Sequence, residues 1–328
     1  MQLSRRALMA AIPALGLAAT AAAGLAAPAY AQRNKTPKTG TRIVPAEEQL
    51  SLEAWIDEWG RPTAKVLING QGPFRFLVDT GSTTTVIAQR IATQLATPVV
   101  GKAVVNGTTG FAEMPVARID KLECGVVMGD NIRVAVLTDE GLAREDGILG
   151  ADVFVNHRLT FDIEAKSVRV EPTRRGAKTR LASNMRIRNG LLAEIDGKIG
   201  GVDCRLMLDT GAESCIVNSV LEASLVRAQP RMKRIERATV VGVTGQVLEG
   251  NYLHLPRVEL GKINVRDAGA IATDAHVFHL WNLTQEPAMI VGVDVLSRLA
   301  GFSIDYGAKV FDAEPLAGLI ARSSVMLG

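Results

Sequence analysis

The stretch FRFLVDTGST at residues 74–83 runs an alternating apolar segment straight into Asp79-Thr80-Gly81. The stretch CRLMLDTGAE at 204–213 does the same into Asp209-Thr210-Gly211. Alternation of this kind is strand patterning, and a glycine two residues past the acid marks a tight turn at the strand's end. A random chain of this composition holds about 0.1 Asp-Thr-Gly tripeptides, so two copies at the ends of matching apolar runs are signal.

Working outward from each tripeptide, the flanking features also come in pairs. AKVLINGQGPFRFLVDTG (64–81) and LLAEIDGKIGGVDCRLMLDTG (191–211) each read as two extended runs joined by a glycine-rich turn. Downstream, TVIAQRIATQLATP (85–98) and IVNSVLEASLVRAQP (216–230) show helical apolar spacing and stop at proline. VVNGTTGFAEM (104–114) and VVGVTGQVLEG (240–250) follow as short β-like segments with glycine-rich turns. Apolar-apolar-glycine runs ending in an acid come next, GILGADVF (147–154) and MIVGVDVL (289–296). Each copy closes on an expected hairpin, at 159–171 and 300–314. The two Asp-Thr-Gly acids are 130 residues apart, whereas Gly150 and Gly292 are 142 apart. The second copy has therefore gained residues after its tripeptide, part of them in TDAHVFHLWNLTQEP (273–287). Two copies make a tandem duplication rather than a solenoid. The chain accordingly divides into a leader (1–31), a polar lead-in (32–50), a first unit (51–172), a basic joint (173–185), a second unit (186–314) and a tail (315–328).

The leader pairs Arg5-Arg6 with an Ala/Leu/Gly-rich stretch and a small-x-small pattern at Ala29–Ala31, the plan of a twin-arginine export signal. An uncleaved membrane anchor is the alternative, since about 20 apolar residues can span a bilayer. The whole sequence is 47% hydrophobic and 22% charged, enough to bury two cores. A net charge of +3, which includes Arg5 and Arg6, provides no basic surface for nucleic acid. Cys124, Cys204 and Cys215 have no C-x-x-C spacing and read as small buried side chains, with a Cys204–Cys215 bridge as the alternative. His276 and His279 lack a third ligand in register, so no metal is expected.

FLVDTGST…GILGAD and LMLDTGAE…IVGVD resemble the retropepsin-like and pepsin-like aspartic proteases, most of all exported bacterial members of the retroviral type. The resemblance spans residues 52–314. It implies a mostly β fold of two barrel-like lobes with short helices and a cleft between them. It also implies a catalytic dyad of Asp79 and Asp209, needing neither metal nor cofactor. Two such carboxylates share one proton and titrate as a pair. Thr80 and Thr210 would hold the lobes in register, and Gly81 and Gly211 would leave room for close backbone approach. Gly150 and Gly292 would let the next loop pass beneath each turn. The residue after the tripeptide is Ser82 in the first copy and Ala212 in the second. A Ser82 hydroxyl donating to Asp79 would favour its charged form and place the activity optimum between strongly acidic and neutral pH. The turns at Asn106–Gly110 and Gly242–Gly245 are candidate flaps. The implied activity is an exported endopeptidase, active as a monomer on peptide or protein segments of the cell envelope. A catalytically silent peptide-binding clamp on the same fold is the rival reading.

Overall fold

The computed structural model describes residues 54–316 except 58–59, 126, 143 and 174–180, together with a two-residue strand, Gly24–Leu25. The rest of the leader and the lead-in, the centre of the basic joint and the tail beyond 316 lie outside the described residues. Among the described residues strand outweighs helix by 53% to 13%, as the alternating patterns require, in a closed barrel and a second, curled half-barrel.

Both halves are built by one plan. In the first, Pro62–Ile68 and Gln71–Val78 form a hairpin whose second strand runs parallel to Gly147–Leu149. In the second, Leu192–Ile199 and Val202–Leu208 form the hairpin, and its second strand runs parallel to Ala288–Val291. Alternation shows in burial: Val66 and Ile68 face inward while Lys65 and Leu67 are exposed. Burying such side chains contributes about 1.5–3 kcal/mol each for full burial.

The segments after the two tripeptides differ from the helices that their spacing predicts. Val86–Ala88 is a strand, and the helix is only Gln89–Gln94; Ile216–Val217 is likewise a strand before the helix Ser219–Ala228. Each apolar start is drawn into the sheet, parallel to Val127–Leu137 or to Ala268–Ala272 and antiparallel to the apolar-apolar-glycine strand on its other side. Two flanking strands satisfy more backbone groups than a helix end would. The second helix is longer and has a side-chain cap, Asn218 Oδ1 accepting from Leu221 N at 2.9 Å. The first starts at Ala88 with no such cap.

Each half also carries a long hairpin, Val99–Asn106 with Phe111–Cys124 and Arg234–Val241 with Val247–Leu255. Gly24–Leu25 pairs antiparallel with the outer edge of the first, Gly24 opposite Asn106. The closing hairpins of the two halves join edge to edge. His157–Asp162 pairs with Leu299–Asp305, Phe161 opposite Phe302 with ring centroids 4.5 Å apart. Ser183–Asn184, within the expected joint, adds a short strand to Val310–Pro315. All three cysteines are buried and free. No helix among the described residues is long and apolar enough to cross a membrane.

Candidate active site

Asp79 and Asp209 sit at the ends of the strands Gln71–Val78 and Val202–Leu208 and meet where the halves touch. Each backbone N–H is held by the neighbouring apolar strand, Asp79 N donating to Leu149 O and Asp209 N to Val291 O, both at 3.0 Å. Each turn then folds back on its own acid. Asp79 Oδ1 accepts from Gly81 N at 2.8 Å and Ser82 N at 3.1 Å, and Asp209 Oδ1 accepts from Gly211 N at 2.9 Å and Ala212 N at 3.0 Å. The other oxygens, Asp79 Oδ2 and Asp209 Oδ2, are buried without a hydrogen-bond partner.

The glycines are required by the opposite acid. A Cβ on Gly81 would overlap the Asp209 carboxyl, and one on Gly211 would overlap that of Asp79. Gly150 and Gly292 also pass where no side chain fits, against Thr84 and against Ala212 and Ser214. Ala151 N and Val293 N there donate at 2.8 Å to Ser82 O and Ala212 O.

Thr80 and Thr210 interlock across the halves. Thr80 Oγ1 donates to Leu208 O at 2.9 Å and Thr210 Oγ1 to Val78 O at 2.7 Å. Each hydroxyl also accepts from the other threonine's backbone N–H at 3.1 Å. Four buried hydrogen bonds thus fix the two carboxylates relative to one another.

Burial raises the pair above the ordinary carboxylate range, and for Asp79 the Asp209 charge adds to it; the turn N–H groups pull the other way. The tips of the two hairpins, one from each half, meet one another. Gly107–Thr109 and Gly242–Val243 are buried, Thr109 Oγ1 donates to Gln246 O at 2.9 Å, and Gln246 Nε2 donates to Phe111 O at 3.0 Å.

One expectation is overturned. The Ser82 hydroxyl does not touch Asp79; Ser82 Oγ donates to Thr84 O at 2.8 Å, because the residue's backbone N–H already occupies Asp79 Oδ1. Ser82 therefore supports the acid through its main chain, as Ala212 does opposite. Ser82→Ala should leave the acidic limb of a pH–rate profile where it stands, and a shift of half a unit or more would show a link that this geometry lacks.

Some residues that hold the site escaped sequence reasoning. Asp152 accepts from Thr85 N at 3.1 Å and from Thr85 Oγ1 at 2.9 Å. In the second half Asp294 accepts from Cys215 N at 3.2 Å and Cys215 Sγ at 2.8 Å. The hydroxyl and the thiol also accept from Gly150 N and Gly292 N, both at 3.2 Å. Cys215 is thus the sulfur counterpart of Thr85, as their 130-residue offset signals. Cys215→Thr should keep the melting temperature within a few degrees. Cys215→Val, which takes the side-chain partner from Asp294 Oδ1 and from Gly292 N, should cost about 1–3 kcal/mol in urea unfolding.

Arg61 also lies hidden in the sequence. Almost wholly buried, it reaches Glu145 at 2.8 Å, Asp57 at 3.2 Å and, across the interface, Glu213 at 3.7 Å. Tyr306, which takes the place of Ile163 in the first closing hairpin, has a buried hydroxyl without a partner. Burial and the two aspartate charges push its phenol up. His276 and His279 lie on the helix His276–Leu280 and turn different ways, His276 to Asn106 and His279 to solvent.

No curated protein matches the chain. The family described as Aspartyl protease matches it twice, over residues 64–153 and 195–295. Each match contains one Asp-Thr-Gly turn and its apolar-apolar-glycine partner strand, and together they cover more than half of the sequence. With one acid of the facing pair in each match, the chain belongs to the aspartyl protease family.

Proposed function

We propose that the protein is an exported endopeptidase that hydrolyses peptide bonds with a water activated between Asp79 and Asp209. The observation that carries this reading is the facing pair itself: two buried carboxyls, each fixed through Oδ1 by its own turn, each with Oδ2 free. Two carboxyls so close hold one proton between them. The ionised member takes a proton from the bound water, whose oxygen attacks the scissile carbonyl carbon. The protonated member donates to the carbonyl oxygen as the tetrahedral diol forms. On collapse one diol hydroxyl returns its proton to the dyad, the C–N bond breaks, and the nitrogen leaves with a proton from the dyad. The water ends in the new carboxyl group and the dyad is restored with its single proton. No metal or cofactor enters any step.

A peptide would lie extended under the two flaps. The outer edge of Val99–Asn106 already receives Gly24–Leu25 as an added antiparallel strand, which supports recognition by main-chain pairing. Subsites in such a cleft would favour apolar side chains. Both acids belong to one chain, so a monomer suffices. The leader pattern directs this activity to the bacterial envelope, with membrane contact only if the leader stays uncleaved. No nucleic-acid partner is proposed.

The test is cleavage of a diverse peptide mixture by the full chain from pH 3 to 8, with and without a statine-type mimic of the tetrahedral intermediate. Such a mimic binds the dyad in preference to substrate. Cleavage that the mimic blocks supports the reading. A folded chain silent at every pH would overturn it in favour of a peptide-binding clamp.

A further inference from the structure

The second half carries extra residues where the first has TDEG (138–141). Aligned on their shared Thr-Asp, TDAH (273–276) puts His276 at the place of Gly141. Both positions receive the tip of the opposite half's flap. A Cβ on Gly141 would overlap the Val243 carbonyl oxygen, so in the first half the meeting is backbone to backbone. In the second half a side chain makes it. His276 Nε2 donates to Asn106 Oδ1 at 3.0 Å, and the His276 ring lies 5.6 Å from that of Phe111, tilted by 42°.

This contact differs in kind from the others at the hairpin tips. The Thr109–Gln246 and Gln246–Phe111 hydrogen bonds join one flap to the other, so the two flaps could lift together without breaking them. His276 instead ties the first flap to a fixed body. Val277, Phe278 and Trp281 beside it are buried, with Phe278 edge-on to Trp281 at 6.3 Å, and Arg188 Nη1 donates to Trp281 O at 2.7 Å. Both dyad acids are at most 1% exposed, so a peptide reaches them only after what covers them has moved.

We propose that His276 is the latch of the first flap, a positioning residue through which the enlarged second-half loop controls access of the peptide to the dyad. Its gating role rests on the protease reading above. The Nε2–H donates from the neutral ring and from the imidazolium alike, so the latch does not work as a pH switch. It stabilises the closed, empty form. Binding then requires the open form, and the apparent affinity is lowered by the open fraction.

The experiment compares the full-length wild type with His276→Ala, His276→Gln and His279→Ala. Amide hydrogen exchange is followed over residues 104–111, and KM and kcat are measured on a cleavable peptide. Loss of one such hydrogen bond should speed exchange in His276→Ala about 3- to 10-fold and lower KM by a similar factor, with kcat within twofold. Glutamine, whose Nε2 also donates, should restore both values, and His279→Ala should match the wild type. Unchanged exchange in His276→Ala, failure of glutamine to rescue it, or a raised KM would overturn the latch. Exchange needs no catalysis, so the two readings fail separately. Faster exchange in a chain that cuts no peptide would count against the protease and leave the tether standing.

Discussion

Asp79→Asn and Asp209→Asn should each lower peptide cleavage by about 10⁴-fold, while the folded protein becomes more stable at neutral pH. The loss follows from the shared proton. An amide can neither take a proton from the water nor pass one to the leaving nitrogen, and the surviving carboxyl cannot do both. The gain in stability follows from burial. Both acids titrate above the ordinary value of 3.8 in the folded chain. A carboxyl raised by folding binds more protons when folded than when unfolded, so wild-type stability falls as pH climbs from near 3.8 through the raised range. Asparagine has no such charge to bury. The variants should therefore match the wild type near pH 3 and exceed it at pH 7, by about 1.4 kcal/mol for each unit by which the replaced group is raised. Urea unfolding at the two pH values checks the stability half, and turnover of a cleaved peptide checks the other. Cleavage surviving in either variant would mean that the two turns are scaffolding. A variant less stable than the wild type at pH 7 would mean that the carboxylates are solvated.

The same titration sets the expected pH dependence of activity. The ionised member is needed to activate water, and burial raises the pair, so the rate should climb above the ordinary carboxylate range instead of peaking in strong acid. An intermediate optimum is thus expected from burial of the pair and not from the Ser82 hydroxyl.

Arg61→Met should destabilise the protein by about 3–5 kcal/mol, the usual cost of removing one partner from a buried ion pair. Arg61 and its partners Asp57 and Glu145 have side chains only 3% exposed, so methionine would remove a buried cation that two carboxylates share. Arg75, 3.5 Å from Asp57 and 4.0 Å from Glu145, offers partial relief and points to the lower end of that range. Arg61 also faces Glu213, two residues beyond Gly211, so activity should fall with stability as the second turn loses a contact to the first half. Adding Glu145→Gln to Arg61→Met should recover part of the loss, because one stranded charge is removed. A single-variant loss below 1 kcal/mol, or no recovery in the double variant, would show that the cluster is solvated and carries little of the interface.

Much of the candidate site was legible because the duplication prints each element twice. Asp79 and Asp209 each follow an alternating run and precede a glycine. Gly150 and Gly292 each close an apolar run. Asp152 and Asp294 also lie at one repeated offset, but that they bolt down Thr85 and Cys215 shows only in the structure. The helix boundaries were less legible. Val86–Ala88 and Ile216–Val217 carry helical spacing, but their neighbours in the sheet satisfy their backbones better, and no local pattern reveals those neighbours.

The sequence by itself determined the two-copy plan, the mostly β architecture and the identity of the paired acids, because strand alternation, glycine turns and repeat offsets are local or periodic features of a chain. Only the tertiary structure decided which contacts cross between the copies. Gly81 lies against Asp209, Thr80 grips Leu208, Arg61 reaches Glu213, and His276 holds Asn106. It also decided that the Ser82 hydroxyl turns to Thr84 and not to Asp79. Residues more than a hundred positions apart are joined there by shape, burial and the need to satisfy each hidden polar group, and none of these is written in the order of neighbouring residues.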